Sequence, residues 1–225
     1  MNQLKWRHFH RDIVLLNVRW YLAYPLSYRD LEEMMQDRGF KIDHTTIFRW
    51  VQAYSQILVP NFNLKKRQVS KSWRMDETYI KVGGVWRYLY RAVDKQGMTV
   101  DFMLSSKRDT IAAANFLCKA IDVNGIPEKI NIDQSGANAS GIELFNKVNG
   151  SKIEIRQCKY LNNIVEGDHF GLKKTLTTVT GFKRMTSAKN SIYGAEVIRM
   201  IRKDQLESTG SVRLSQFEKF KSLVA

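Results

Sequence analysis

Residues 73–97, WRMDETYIKVGGVWRYLYRAVDKQG, restrict the fold more than any other stretch of the chain. Two runs rich in aromatic and β-branched residues, 73–82 and 85–94, are separated only by Gly83 and Gly84. A two-residue connection between strands needs positive φ at its centre, which glycine adopts without a Cβ clash, so the pair predicts a tight hairpin. Residues 97–105 alternate again after Asp94-Lys95-Gln96-Gly97, which predicts a third antiparallel strand. Strands this apolar belong in the middle of a sheet, where an ionised carboxylate is costly unless something compensates it. Asp76 stands in the first of them.

Beyond this meander, Asp109 caps a helix over 110–122 with Ile111, Ala114, Leu117 and Ile121 inward and Cys118 on its apolar side. Gly125-Ile126-Pro127 breaks the chain, and a short buried strand, 129–132, ends on Asp133. A helix carrying Ile142, Leu144, Phe145 and Val148 follows, then a strand over 152–156. Asn162 and Asn163 lead into a helix holding Glu166, Asp168, His169 and Lys173. The order β-β-β-α-β-α-β-α describes an α/β layer with a mixed sheet, an antiparallel meander extended by parallel strands.

In that order strands one and four are neighbours, so Asp76, Asp133 and Glu166 can converge at the sheet edge. Taken singly, each is equally an ordinary cap or a solvated acid. Together, three carboxylates without zinc-type ligands suit a hard cation such as Mg²⁺ or Mn²⁺. Two such ions, about 4 Å apart, would activate an attacking hydroxyl and stabilise the leaving oxygen at a phosphodiester. Glu166, His169 and Lys173 share one helical face, with Ile164, Val165 and Leu172 left to pack. Lys173, about 10 Å along the axis from Glu166, would hold a substrate phosphate as a point charge.

The N-terminal part has a different grammar. Leu15, Val18 and Leu22 give a helical stripe ended by Pro25. Ser27 and Asp30 form a capping box for a second helix with Tyr28, Leu31 and Met35 inward, and Gly39 suits its end. Asp43 caps a third helix with Ile47, Trp50 or Val51, and Tyr54 inward. This is helix-turn-helix spacing, in which the third helix presents His44, Thr45, Phe48, Arg49 and Gln52 outward to DNA. Residues 60–72 have no acidic residue and little periodicity, so they read as a basic linker whose Lys65, Lys66 and Arg67 can track phosphates. The expected organisation is a helix-turn-helix domain over 1–59, this linker, a catalytic domain over 73–207 and a weakly patterned tail over 208–225.

The formal charge of +14 points to a polyanionic partner, and nucleic acid is the first candidate. The excess is spread over both parts, with 12 Lys and Arg against 6 Asp and Glu in 1–72 and 24 against 16 in 73–225. Cys118 and Cys158 stand alone without CxxC spacing, which gives neither a disulfide framework nor a zinc site. With no signal-peptide pattern and no apolar run near 18 residues, a cytoplasmic protein with no membrane segment is expected.

Five blocks, 28–34 (YRDLEEM), 43–51 (DHTTIFRWV), 75–82 (MDETYIKV), 88–94 (YLYRAVD) and 159–169 (KYLNNIVEGDH), resemble the DDE transposases of bacterial insertion sequences. The nearest likeness is to the insertion sequence six family, and it runs from about residue 7 to 203. The resemblance implies an RNase H-like, integrase-type catalytic core that cuts DNA at terminal inverted repeats and joins the 3′-hydroxyl to target DNA. It also implies cointegrate formation, a homo-oligomer holding two ends, and a nucleoid-associated protein of the bacterial cytoplasm. The family's catalytic triad falls on Asp76, Asp133 and Glu166, its helix lysine on Lys173, and its end-recognition domain on residues 11–58. The chain departs from the pattern at Gln134, where members often carry Lys, and at Phe170-Gly171 in place of a basic pair. A DNA-binding regulator with an inactive core, and a hydrolytic nuclease of the same fold, are the alternative readings.

Overall fold

Gly83 and Gly84, at φ 59° and 80°, close the hairpin between β1 (Ser72–Val82) and β2 (Val85–Asp94). The strands pair without slip from Trp73–Asp94 to Val82–Val85. In this computed structural model, which describes residues 9–134, 136–176, 181–207 and 214–224, β3 (Thr99–Ser105) completes the meander. After α4 (Thr110–Asn124), β4 (Lys129–Ile132) lies parallel to β1, pairing from Ser72–Lys129 to Arg74–Asn131. After α5 (Gly136–Asn149), β5 (Glu154–Gln157) lies parallel to β4, and α6 (Lys159–Leu176) follows. The sheet order β3-β2-β1-β4-β5, with three antiparallel strands and two parallel additions, is the RNase H-like arrangement.

One face of the sheet carries Trp73, Met75, Tyr90, Ala92, Ile130 and Ile132 into a core shared with α4 and α5. The buried stripe of α4 is Ala112, Ala113, Phe116, Leu117 and Ala120, while Ile111 is exposed. Cys118 is exposed too, so the expected inner face was rotated. The reason is close packing between helices. A Cβ built on Gly141 of α5 would lie 2.6 Å from the Ala113 Cβ and 3.1 Å from the Ala114 nitrogen. Alanines let the two helices approach, and the bulkier Ile111 is turned out.

The chain divides into two compact units. The sheet unit comprises 67–171 and 181–184, and the helical unit 1–66, 172–180 and 185–225. In the helical unit, α1 (Arg11–Ala23), α2 (Tyr28–Gln36) and α3 (His44–Asn63) stand where the stripes and caps put them. Both hydrogen bonds of the Ser27–Asp30 capping box form, and Gly39 leaves α2 at φ 80°. One expectation fails here: the linker does not start at residue 60, because α3 continues through Pro60 to Asn63, held by fully buried Leu58 and Phe62. The last long helix, α7 (Met185–Arg202), packs within the helical unit. Gly194 of α7 lets it sit on α1 and α3, since a Cβ there would lie 2.8 Å from Leu22 and from the Ser55 hydroxyl.

Residues 208–213 of the expected tail lie outside the described residues. The rest contains α8 (Gln216–Lys221), which has its own Ser215–Glu218 capping box and buried Phe220 and Leu223 nearby. Among the described residues, no helix is long and apolar enough to cross a membrane.

The helix contact at Gly141 generates a prediction. Gly141→Ala should lower the melting temperature, because overpacking costs about 1–3 kcal/mol and outweighs the gain in helix propensity. Gly167→Ala, with nothing within 4 Å of the added carbon, should instead raise it by up to about 1 kcal/mol of stability. Thermal melts of both variants check this pair, and equal shifts would rule out tight packing at Gly141.

Candidate active site

Alternation along β1 turns Asp76 to the face opposite the α4–α5 core, and its partner in register across the hairpin is Arg91. That face is covered by α6. Arg91 is fully buried and its guanidinium pairs with Asp168 of α6. One residue on, His169 is also buried, with Nδ1 at 3.7 Å from Asp76 Oδ2, an ion pair when the imidazole is protonated. Asn131 of β4 faces the same helix. Its amide donates to Asn162 Oδ1 at 2.6 Å and to the Cys158 carbonyl at 2.9 Å.

These contacts fix the register of α6. Asp133 leaves β4 two residues beyond Asn131, and Glu166 stands one turn beyond Asn162 on α6. The inner stripe of α6 is Asn162, Val165, His169 and Leu172, with Glu166 exposed at its margin and Ile164 40% exposed. This corrects the expected face. His169 does not project outward with Glu166 and Lys173, because its imidazole fills the space beside Asp76. Ile164 lies off the inner stripe, partly exposed near Gly97. Lys173 lies two turns beyond Glu166 on the same helix and is exposed.

The electrostatics tie the three acids together. Asp76 is pushed up to about 7, chiefly by burial. The charges of Glu77, Asp133 and Glu166 raise it further, against a hydrogen bond from the Glu77 backbone N–H. Asp133, just past the end of β4, and Glu166, on α6, thus both bear on the charge of Asp76. Glu77, next in sequence, points the other way into the core, where Arg108 pairs with it and the Asn138 amide donates at 2.8 Å.

Among the described residues, one group brings three ligand atoms within 4.8 Å of one another: Glu32, Asp43 and His44. The acids around Asp76 are set more widely. The former group is a clamp across the α2–α3 turn, with His44 Nδ1 at 2.8 Å from Glu32 and Asp43 capping α3 through the Thr45 N–H. The donor set of Asp76, Asp133 and Glu166 is all carboxylate oxygen and fits a hard divalent cation. A cation there would offset the charges of Asp133 and Glu166, which add to the larger effect of burial on Asp76.

The outward face of α3 is only partly as expected. Thr45, Phe48 and Arg49 are exposed, and His44 is half-buried against Glu32. Gln52 is not presented outward: its amide donates to Ser191 Oγ at 3.3 Å and accepts from Asn190 at 3.1 Å, both on α7. A helix 138 residues further along the chain covers it. Lys65 and Arg67 are exposed and Lys66 half-buried. The buried partners Arg91, Asn131, Asn138 and Asn162 were not singled out from sequence as site residues. Their signal was faint: polar residues inside apolar strand and helix patterns.

Comparison with known proteins adds a family. A family model described as a DDE domain matches residues 70–205. The chain is 36% identical over 212 residues to the transposase for insertion sequence-like element IS431mec of Staphylococcus aureus, covering 92% of each chain. The same identity and coverage hold for the transposase for insertion sequence element IS257 in transposon Tn4003 of Staphylococcus aureus. Among solved structures, the magnesium complex of the HTLV-2 integrase catalytic core domain, trimeric form, aligns with a TM-score of 0.46 at 18% identity, over 68% of this chain and 98% of that one.

The raised Asp76 gives a pH prediction for the metal-free protein. An unfolded Asp loses its proton near 3.8, whereas the folded one holds it to about 7. Stability therefore falls as pH rises through that window and stays lower above it, by a few kcal/mol at most. Asp76→Asn has no such proton to lose. Its melting temperature should match wild type near pH 4 and exceed it by several degrees near pH 8; a difference that does not change with pH would remove the ionisation from the account.

Proposed function

The chain belongs to the DDE transposases of bacterial insertion sequences, in the insertion sequence six family, and we propose that Asp76, Asp133 and Glu166 are its catalytic carboxylates. The observation that carries this reading is Asp76 on the face of β1 that α6 covers, with His169 Nδ1 3.7 Å away, Asp133 at the end of the neighbouring β4 and Glu166 on α6 itself. The reaction is phosphoryl transfer at the ends of the element, where a 3′-hydroxyl is freed and joined to target DNA, with cointegrates as products.

The three carboxylates would hold Mg²⁺ or Mn²⁺, two ions in the full complex. When bound, such ions supply Lewis-acid activation of the attacking oxygen and stabilise the leaving one. The chain's own groups do the rest. His169 lies against the Asp76 carboxylate and orients it. The Asn131–Asn162 hydrogen bond and the Arg91–Asp168 pair keep Glu166 at the margin of the sheet. Lys173 holds a substrate phosphate. A flexible ammonium suits a phosphate that shifts between cleavage and joining.

End recognition falls to α3, where Thr45, Phe48 and Arg49 reach base edges and His44 stays anchored to Glu32. Gln52, covered by α7, has no part in base reading. Lys65, Lys66 and Arg67 contact backbone phosphates and give salt-sensitive affinity. A homo-oligomer brings two inverted repeats together, and the protein works on DNA in the bacterial cytoplasm, at the nucleoid. Gln134 and Phe170-Gly171 leave the three carboxylates intact.

The test is strand transfer from a labelled element-end oligonucleotide into a plasmid, with Mg²⁺ or with EDTA. Asp76→Asn, Asp133→Asn and Glu166→Gln should each fall to background with end binding unchanged. Retained transfer in any one variant removes that residue from the site, and cleavage without joining would indicate a hydrolytic nuclease. Asn162→Ala should lose about 10–100-fold, the usual size for a group that orients a metal ligand, while folding is retained.

A further inference from the structure

The hairpin runs past the strands beside it. β4 pairs with β1 only from Ser72 to Arg74, and β3 pairs with β2 only as far as Tyr88. Beyond these points β1 and β2 form a two-stranded ribbon. Its tip is tied to the segment before α7 by the Val82–Phe182 bridge and by the Gly83 N–H, which donates to the Phe182 carbonyl at 2.6 Å. A Cβ on Gly83 would lie 3.3 Å from the Lys183 carbonyl oxygen, so glycine allows this approach as well as the turn.

Alternation and register place Tyr79, Lys81, Trp86 and Tyr88 on one side of the ribbon, the side away from Asp76. Tyr79 is 45% exposed and Trp86 57%. The rings form a continuous surface: Tyr79 and Trp86 meet edge-on at 6.2 Å, and Tyr79 and Tyr88 lie tilted to each other at 5.4 Å. Cations surround it. Lys81 Nζ lies 5.7 Å from the Trp86 ring centre, and an Arg108 N–H donates to the Tyr79 hydroxyl at 3.4 Å. Lys107, next to Arg108 in sequence, and Lys183 and Arg184, which follow Phe182, are exposed. The acid on this side of β1, Glu77, is buried and already paired.

We propose that this ribbon is a stacking platform for unpaired nucleotides, holding a single strand next to the reacting DNA end. The inference rests on the DNA-transfer reading above, and charge selects the occupant. Exposed aromatic faces rimmed by Lys and Arg match bases and phosphates together, which is how single strands are held without sequence preference. In a duplex the base faces are covered by their neighbours, so only unpaired bases can use such a surface. Lys81 is five residues beyond Asp76, about 17 Å along an extended strand. The platform therefore holds nucleotides that flank the cut, not the scissile phosphate.

The experiment uses the full chain with fluorescein-labelled oligothymidylate and an element-end duplex of equal length. The double variant Tyr79→Ala/Trp86→Ala should lose about tenfold or more in affinity for oligothymidylate and stay within about twofold of wild type on the duplex. Tyr79→Phe/Trp86→Phe should keep binding, because the rings remain. Oligothymidylate should quench tryptophan emission in wild type and not in Trp86→Phe. Equal losses on both DNAs, or no loss, would overturn the platform. So would a change in sedimentation mass of the DNA-free double variant, which would assign the ribbon to contact with a second copy of the chain. Normal duplex binding without strand transfer would sink the proposed reaction and leave the platform standing. Wild-type binding to neither DNA would remove both.

Discussion

The site depends on how α6 is docked. Asp76 and Asp133 are carried by the sheet, but Glu166 comes from a helix 33 positions after Asp133, and that helix needs a reason to hold its register on the sheet. That reason is polar. Arg91 pairs with Asp168 and Asn131 bonds to Asn162, both in places from which water is excluded. Buried charge is a poor source of stability, because desolvation offsets much of the attraction. It is a good source of register, since sliding the helix by one turn would leave a guanidinium and an amide without partners. Apolar packing through Val165 alone would tolerate that slide.

The same division between binding strength and registration recurs in the helical unit. Capping at Ser27 and Asp43 sets where α2 and α3 begin, and the Glu32–His44 contact holds the turn between them. The exposed groups at the start of α3 are thus presented from a framed corner rather than from a mobile loop. Rigid presentation is what base-edge contacts need, because a hydrogen bond weakens steeply when its direction is lost.

What could be read in the chain beforehand was whatever local periodicity and turn chemistry determine. The Gly83-Gly84 hairpin, the caps at Ser27, Asp43 and Asp109, and the neighbouring positions of strands one and four were all legible. Three things were not, and each depends on a partner distant in sequence. Pro60 marks a helix end on local grounds, but burial of Phe62 carries α3 past it. Gln52 looks outward on a helical wheel until α7 covers it. His169 looks like a polar surface residue until Asp76 is found beneath it. The three acids stand out by order and by resemblance, while the buried partners that hold α6 are ordinary asparagines and an arginine, whose residue types carry no signal.

The helical unit is discontinuous, and that has a consequence for the order in which the protein matures. Leu22 and Ser55 are covered by Gly194 of α7, about 140 residues after Ser55 along the chain. During synthesis the first three helices emerge long before the helix that completes their core, and the sheet has its full set of strands in between. Loop closure of that length slows the last docking step. A ribosome-bound chain would carry a formed hairpin while α1 and α3 still lacked their cover, so the core of the helical unit is the last part of a newly made molecule to close.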